Sequence, residues 1–288
     1  MVRSGGWIHD YRLSPMTSRE HDYWDSVGTD WCRRRPYKLW REFSDRHQSA
    51  LLARRMGGHI RSRIAAGERL DLLKTDLFDE VAGRGVVPWL IESGVHVTGV
   101  DLAPQIVAEA VARNPGLEAV VADVRSLPFA DASFAVVFSG STLDHFGVVA
   151  DIHVALREIC RVLRPGGTLI LTLDNLDNPV VRLRNGPLLG LLRRIGIVPY
   201  QVGATLGHRR LEREVRAAGF EVAATNAVLH CPRVLAVAVA GAMERLGRSW
   251  QEAFIRGAAS WESLGRWPTR WLTGHYVAIH AVKARAVV

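Results

Sequence analysis

Cysteine is scarce in this chain. Cys32, Cys160 and Cys231 are the only three in 288 residues, and no two share a C-x-x-C spacing. That argues against a disulfide framework and against a cysteine-built zinc site; Cys160 and Cys231 read as small core residues. Lysine is equally rare: 3 lysines stand against 34 arginines in a net charge of +8. The arginines are spread along the whole sequence, so the basic balance does not mark a nucleic-acid groove, and a nucleic-acid partner is not expected. Long apolar runs are also missing. The longest small-and-apolar stretch, Val234 to Met243, has ten residues, well short of the ~20 needed to span a bilayer. The opening MVRSGGWIHDYRL has no apolar signal core. The expectation is a soluble, cytoplasmic protein with at most peripheral membrane contact.

What remains is an ordinary globular composition, 48% hydrophobic and 23% charged. Residues 1–70 carry Trp7, Trp24, Trp31 and Trp40, with helical spacing after Trp40, and read as a helical N-terminal cap. From residue 71 to 288 strand-like and helix-like segments alternate. Strands are expected at Leu77–Ala82, Val95–Val100, Ala119–Ala122, Phe134–Ser139, Thr168–Leu173, Phe220–Leu229 and His275–Lys283. Helices fall between them, closed by Gly94, Asn114-Pro115, Pro165-Gly166-Gly167 and Gly219. Two stretches break the rhythm, 176–205 and 234–272, and read as insertions. The fold class expected is α/β: a Rossmann-like, doubly wound, seven-stranded and mostly parallel sheet with an antiparallel last strand.

Chemistry concentrates between Asp79 and Asn175. Asp79-Glu80-Val81-Ala82-Gly83-Arg84-Gly85 is read as a strand end followed by a turn that opens a helix, where glycines let a ligand approach the backbone. Asp101 ends the next strand, 16 residues after Gly85, where a carboxylate can take both ribose hydroxyls. Asp123 ends the third strand, where it can accept from an adenine amino group. Each also has a purely structural reading, as a helix cap or a strand-end turn.

The order of these pieces resembles class I S-adenosylmethionine-dependent methyltransferases, near the small-molecule branch that includes quinone-biosynthesis methyltransferases. Leu127-Pro128-Phe129, the turn Ala130-Asp131-Ala132-Ser133-Phe134 and Arg161-Val162-Leu163-Arg164-Pro165-Gly166-Gly167 match that family's later motifs. The resemblance implies S-adenosyl-L-methionine as cofactor, contacted at Asp79, Val81, Gly83 and Gly85, at Asp101 with Leu102, at Asp123 with Val124, and at Ser139. Val81 stands where the family has a glycine. A β-branched residue disfavours positive φ and fills space near the ligand, so the loop takes a shifted path or holds the cofactor weakly. Lys74-Thr75-Asp76 just upstream is also unusual and is a candidate for compensation, with Asp76 facing the cofactor's ammonium.

Methyl transfer needs alignment above all, with a base where the acceptor loses a proton. His145, beside Asp144 after the fourth strand, is the candidate base. Asp174 and Asn175 after the fifth strand, with Tyr200 in the insertion, are candidates for holding a small-molecule acceptor, apolar or aromatic in character. Three other readings stay open. One is a non-catalytic homologue that binds a ligand or partner, motivated by Val81. Another is a nicotinamide-dependent oxidoreductase, disfavoured because no Gly-x-Gly-x-x-Gly follows Asp79. The last is a nucleic-acid methyltransferase, which predicts retention on heparin that falls steeply with salt. Neither the acceptor atom nor the oligomeric state is legible.

Overall fold

The structure, a computed structural model, describes residues 37–186 and 203–285, together with 24, 26, 27, 29 and 194. The described chain opens with a long helix, α1 (Lys38–Ala65). The sheet region follows as β1 (Asp71–Lys74), α2 (Phe78–Ala82), α3 (Val87–Glu92), β2 (His96–Asp101), α4 (Pro104–Arg113), β3 (Glu118–Val121) and β4 (Phe134–Gly140). A 3-10 turn (Leu143–His145) leads to α5 (Val149–Val162) and β5 (Leu163–Asp174). Then come α6 (Pro179–Arg184), α7 (His208–Ala217), β6 (Phe220–Val228), α8 (Arg233–Met243), α9 (Arg248–Ser260), a second 3-10 turn (Trp261–Arg266), α10 (Arg270–Thr273) and β7 (Tyr276–Lys283).

The seven strands form one sheet in the order β3-β2-β1-β4-β5-β7-β6. β7 runs antiparallel to both its neighbours, and the other pairings are parallel. The strand order reverses at β1, flanked by β2 on one side and β4 on the other, and such a switch point leaves a crevice at the carboxyl edge. Period-two alternation buries both faces. Leu73, Val137 and Leu171 join the core beneath α5 and α7, with Ile152, Leu156 and Leu211. Leu72, Val136 and Ile170 join the opposite core, with Met56 of α1 and Ile106 of α4. A third cluster joins Leu39, Trp40 and Phe43 of α1 to Ala236 and Ala240 of α8 and Ile255 of α9, so the N-terminal helix is fastened to the C-terminal ones.

The first strand is not where the sequence placed it. Leu77–Ala82 was expected as a strand, yet β1 ends at Lys74 and Phe78–Ala82 is helical. The reason is local. Leu77 and Val81, four residues apart, are both fully buried on one helical face. Asp79 and Glu80 lie in the first turn, where acids favour a helix, and Asp76 Oδ1 accepts the Phe78 N–H at 3.0 Å, answering one of the helix's open donors. The remaining strand expectations stand within a few residues, except that β5 starts earlier, at Leu163.

Candidate functional site

The carboxyl edge of β1 is a turn without glycine: Lys74-Thr75-Asp76-Leu77-Phe78. Lys74 is buried and pairs with Glu80 at 2.9 Å. Its ammonium also donates to the Asp76 carbonyl and lies 5.8 Å from the centre of the Phe138 ring. Burial opposes its charge, but the carboxylates of Glu80, Asp76 and Asp79 outweigh burial and hold the ammonium protonated above the ordinary lysine range. Glu80 is buried as well and accepts the Val86 N–H at 3.1 Å.

Asp101 faces this turn from the end of β2. One carboxylate oxygen accepts the Leu77 N–H at 3.0 Å and the other the Ala103 N–H at 2.9 Å. Asp76 and Asp101 therefore bracket a single turn, gripping successive amides. Burial raises the pKa of both acids; the Asp101 charge raises Asp76 further, so that it sits well above the ordinary carboxylate range. Asp76 Oδ2 accepts no hydrogen bond among the described residues. Leu102 continues from β2 and is half-buried.

The stretch expected to cradle the cofactor lies elsewhere. Asp79 turns toward α1, where Arg41 Nη1 meets it at 2.9 Å and Gln48 donates at 2.8 Å. Burial would raise its pKa, but Arg41 and Lys74 hold it low. Val81 is buried in the core, and its carbonyl accepts from Arg113, the last residue of α4. Gly83 lines a recess of about 370 Å³ with Arg84, Arg113 and Asn114. Arg113 is roughly 13 Å down α4 from Pro104, at 1.5 Å per residue, so this recess is at the end of that helix away from Asp101. Gly85 has φ 65° and makes the bend between α2 and α3; a Cβ there would sit 2.4 Å from Glu80 Oε1. Val81, Gly83 and Gly85, expected to touch the cofactor, are set apart from the turn that Asp76 and Asp101 bracket. Helix α2 intervenes between β1 and these glycines, and Val81 is a packing residue rather than a damaged loop glycine.

At the end of β3, Asp123 is engaged by Arg125, whose Nη2 lies 2.6 Å from Oδ2 and whose Nε reaches both oxygens. Arg125 also bonds Asp151 at 2.9 Å and lies over the Phe146 ring at 5.1 Å. Val124 is buried in the core. Near the end of β4, Ser139 is fully buried and accepts from Thr75 Oγ1 at 2.9 Å, while Thr75 Oγ1 is 3.0 Å from Thr142 Oγ1. Ser139 thus braces β4 to the β1 turn.

The ends of β4 and β5 gather a second polar cluster. Asp144 Oδ2 accepts from Ser141 Oγ and from the Asp174 N–H, each at 2.9 Å. Among the described residues, Asp144 Oδ1 is buried without a hydrogen-bond partner, as is His145 Nδ1. Burial, with the neighbouring Asp174 charge, raises the Asp144 pKa. The His145 ring meets Trp24 edge-on, centroids 4.7 Å apart. Asp174 pairs with Arg184, and His275 Nε2 lies 3.3 Å from its Oδ1. Burial would raise its pKa, but His275, Arg184 and Arg233 prevail and keep it far below the ordinary range. Arg233 Nη1 in turn bonds His275 Nε2 at 2.8 Å and Tyr276 Oη at 3.1 Å.

Asn175 does not face this crevice. It is fully buried, its side-chain amide donates to the carbonyls of Trp271 and Gly274, and its Oδ1 accepts the Asp177 N–H. It clamps the end of β5 to the segment entering β7, so the amide expected to hold an acceptor is engaged within the fold. Tyr200 lies outside the described residues. His208 stacks on Trp271 at 3.9 Å and pairs with Asp177. Sequence reasoning missed Glu80, Arg184, Arg233 and His275 as members of these clusters. Among the described residues no group of three His, Cys, Asp or Glu could hold a metal ion.

Residues 82–171 match a family model described as a methyltransferase domain; β1 and its turn precede the matched span. Over 90 residues the chain is 36% identical to a demethylmenaquinone methyltransferase of Chlorobaculum parvum, which is 31% of this chain and 36% of that one. Over 81 residues it is 38% identical to a human probable tRNA methyltransferase 9B, covering 28% of this chain and 17% of that one. The chain thus spans well under half the length of these curated relatives. Among solved structures, the [4+2]-cyclase SpnF superposes with a TM-score of 0.54 at 20% identity, covering 84% of this chain and 81% of that one. An S-adenosylmethionine-dependent methyltransferase from Mesorhizobium loti gives 0.51 at 17%, covering 79% and 97%. These two likenesses establish the fold.

Proposed function

We propose that this chain, whose central segment is a class I methyltransferase domain, transfers the methyl group of S-adenosyl-L-methionine to a small-molecule acceptor. One observation carries the reading. Asp101 ends β2 at the crevice where the strand order reverses, inside the span that matches the methyltransferase domain. Each of its oxygens takes one backbone N–H and keeps acceptor capacity for a ribose hydroxyl. Leu102 follows it, half-buried, and would flank a nucleoside bound there. The amino-acid end of the cofactor has no glycine cradle here. Asp76, with a carboxylate oxygen free of hydrogen bonds, fits the ammonium or the sulfonium instead. The residues present therefore fit the ribose and the cationic groups of the cofactor, with acidic side chains at a turn that has no glycine.

Bound S-adenosylmethionine supplies an electrophilic methyl group. The chain's own residues would orient the acceptor at the β4 and β5 ends. Asp144 Oδ1 and His145 Nδ1 are both buried and unpartnered, and an acceptor hydroxyl or amine entering there completes both. His145 Nδ1 takes the acceptor's proton. Asp174, kept ionised by Arg184 and His275, stabilises the imidazolium that results. Alignment of this kind contributes up to ~7–11 kcal/mol in favourable cases.

A ligand-binding homologue without methyl transfer is the second reading, favoured by the absence of glycine from Lys74 to Phe78 and by the fact that the same fold serves a cyclase. Titration calorimetry with S-adenosylmethionine separates the two. The first reading expects binding, with Asp101→Asn weakening it roughly tenfold through loss of a charge-assisted bond, about 1.4 kcal/mol. No heat at millimolar cofactor refutes it. Binding without turnover over a panel of hydroxyl and amine acceptors favours the second.

A further inference from the structure

Helices α8 and α9 follow one another across a short connection and pack as a hairpin against α1. Their inner faces are filled: Ala236 and Ala240 of α8, with Ile255 and Ala258 of α9, close on Leu39, Trp40 and Phe43. Their outer faces are not. On α8 the positions Val234, Leu235, Ala238, Gly241 and Ala242 recur at helical spacing, and all are exposed. Val234 is 70% and Leu235 63% exposed. At the ends and flank of the hairpin Trp250, Trp261 and Trp267 are exposed too, Trp267 by 61%. Single exposed apolar residues are ordinary, whereas a helix-long apolar face beside three exposed tryptophans marks an interaction surface.

The charge around this face has one sign. Residues 233–274 contain six arginines, three glutamates, no lysine and no aspartate. Each glutamate is engaged within the fold. Glu244 accepts the Leu39 N–H, Glu252 is held by Arg46 and Arg248, and Glu262 accepts the His230 N–H. Arg245, Arg256 and Arg266 are exposed and form no ion pair among the described residues.

We propose that this face docks the protein on the surface of an anionic lipid bilayer. An apolar stripe with flanking Trp and Arg is the chemistry of the interface between headgroups and acyl chains. The tryptophan rings lie at headgroup depth, and arginine stems reach back to phosphates. A second copy of the chain would set the same arginines against themselves. A nucleic acid would meet the arginines but leave the α8 stripe in water. The docking also orients the site. Arg233, the first residue of α8, bonds His275 and Tyr276 beside Asp174, so the acceptor end of the crevice is brought to the lipid surface. A lipid-soluble acceptor would reach it without crossing water.

Flotation of the full chain with vesicles tests the proposal, without cofactor, so that it stands apart from the methyltransferase reading. Vesicles of equal phosphatidylglycerol and phosphatidylcholine are expected to carry the protein at least tenfold better than phosphatidylcholine alone. Val234→Asp with Leu235→Asp is expected to lower that partition more than tenfold. Both side chains are exposed, so the melting temperature should not move. Arg245→Gln with Arg256→Gln, the second variant, should erase the preference for the anionic vesicle. The proposal is overturned if the anionic vesicles do not float the protein, or if both variants float as the parent does. It also fails if RNA at matched charge displaces the protein completely, or if light scattering shows a dimer that Val234→Asp dissolves.

Discussion

Replacing Lys74 by methionine should be among the most damaging single changes in the molecule. The ammonium is buried and, among the described residues, is the only cation paired with Glu80. Around it stand three acids whose charges sustain it, Glu80, Asp76 and Asp79. Methionine fills a similar volume, so the cost is electrostatic. Removing one partner of a buried ion pair costs about 3–5 kcal/mol, because the other charge is left uncompensated. At 2–4 °C per kcal/mol for a chain of this size, the melting temperature should fall by ~6–20 °C. Glu80→Gln should cost less, since Lys74 keeps Asp76 and Asp79 and the amide oxygen can still accept from Val86 N–H. The double variant Lys74→Met with Glu80→Gln should recover part of the loss, giving a coupling of at least ~1 kcal/mol in a double-mutant cycle. Thermal and urea melts of the four proteins decide the matter. A Lys74→Met loss below about 1 kcal/mol, or a Glu80→Gln variant weaker than Lys74→Met, would refute the view that one lysine holds this acidic turn together.

Two further outcomes follow from the same region. The Asp45 carboxyl is pushed up from 3.8 to about 7, mainly by burial and then by the Asp79 charge. A carboxyl raised in the fold binds its proton more tightly in the native chain than in the unfolded one. Its contribution is therefore most favourable below pH ~4 and is lost as pH rises through 7, by up to about 4 kcal/mol. Asp45→Asn, which can still accept the Arg84 N–H, should stabilise the protein by ~1–3 kcal/mol at pH 8 and by little at pH 4. Equal effects at both pH values in urea melts would remove this explanation. At the crevice, Asp76→Asn keeps the acceptor for Phe78 N–H and removes the acid that a cationic ligand would hold ionised. Calorimetry should then show S-adenosylmethionine bound about tenfold more weakly, ~1.4 kcal/mol. S-adenosylhomocysteine, which lacks the sulfonium charge, should lose less, and an equal loss for both would show that Asp76 reads only the ammonium or neither group.

The sheet was legible because its signals are periodic and redundant. Leu72, Val97, Val136 and Ile170 are buried on one face and Leu73, Val137 and Leu171 on the other, and glycine or proline closes most of the intervening helices. Missing one signal leaves the others to set the register. Asp101 was legible for the same reason: it ends an unmistakable strand. The turn after β1 was not, because a glycine motif is a pattern of absences. Gly83 and Gly85 looked like a cradle in sequence, yet Gly85 is needed only for a left-handed bend against Glu80. The end of β1 carries Asp76 and Phe78 and no glycine, and nothing in its spacing marks it as a ligand turn. Asn175 misled for a related reason. A polar residue after a strand can face the crevice or turn back to tie two strands, and only the partners of its amide, the Trp271 and Gly274 carbonyls nearly a hundred residues later, distinguish the two. Lys74 is unusual in sequence beside Thr75 and Asp76. What it does depends on Glu80 lying across a helical turn rather than along a strand, so reading the first helix as a strand hid the ion pair as well.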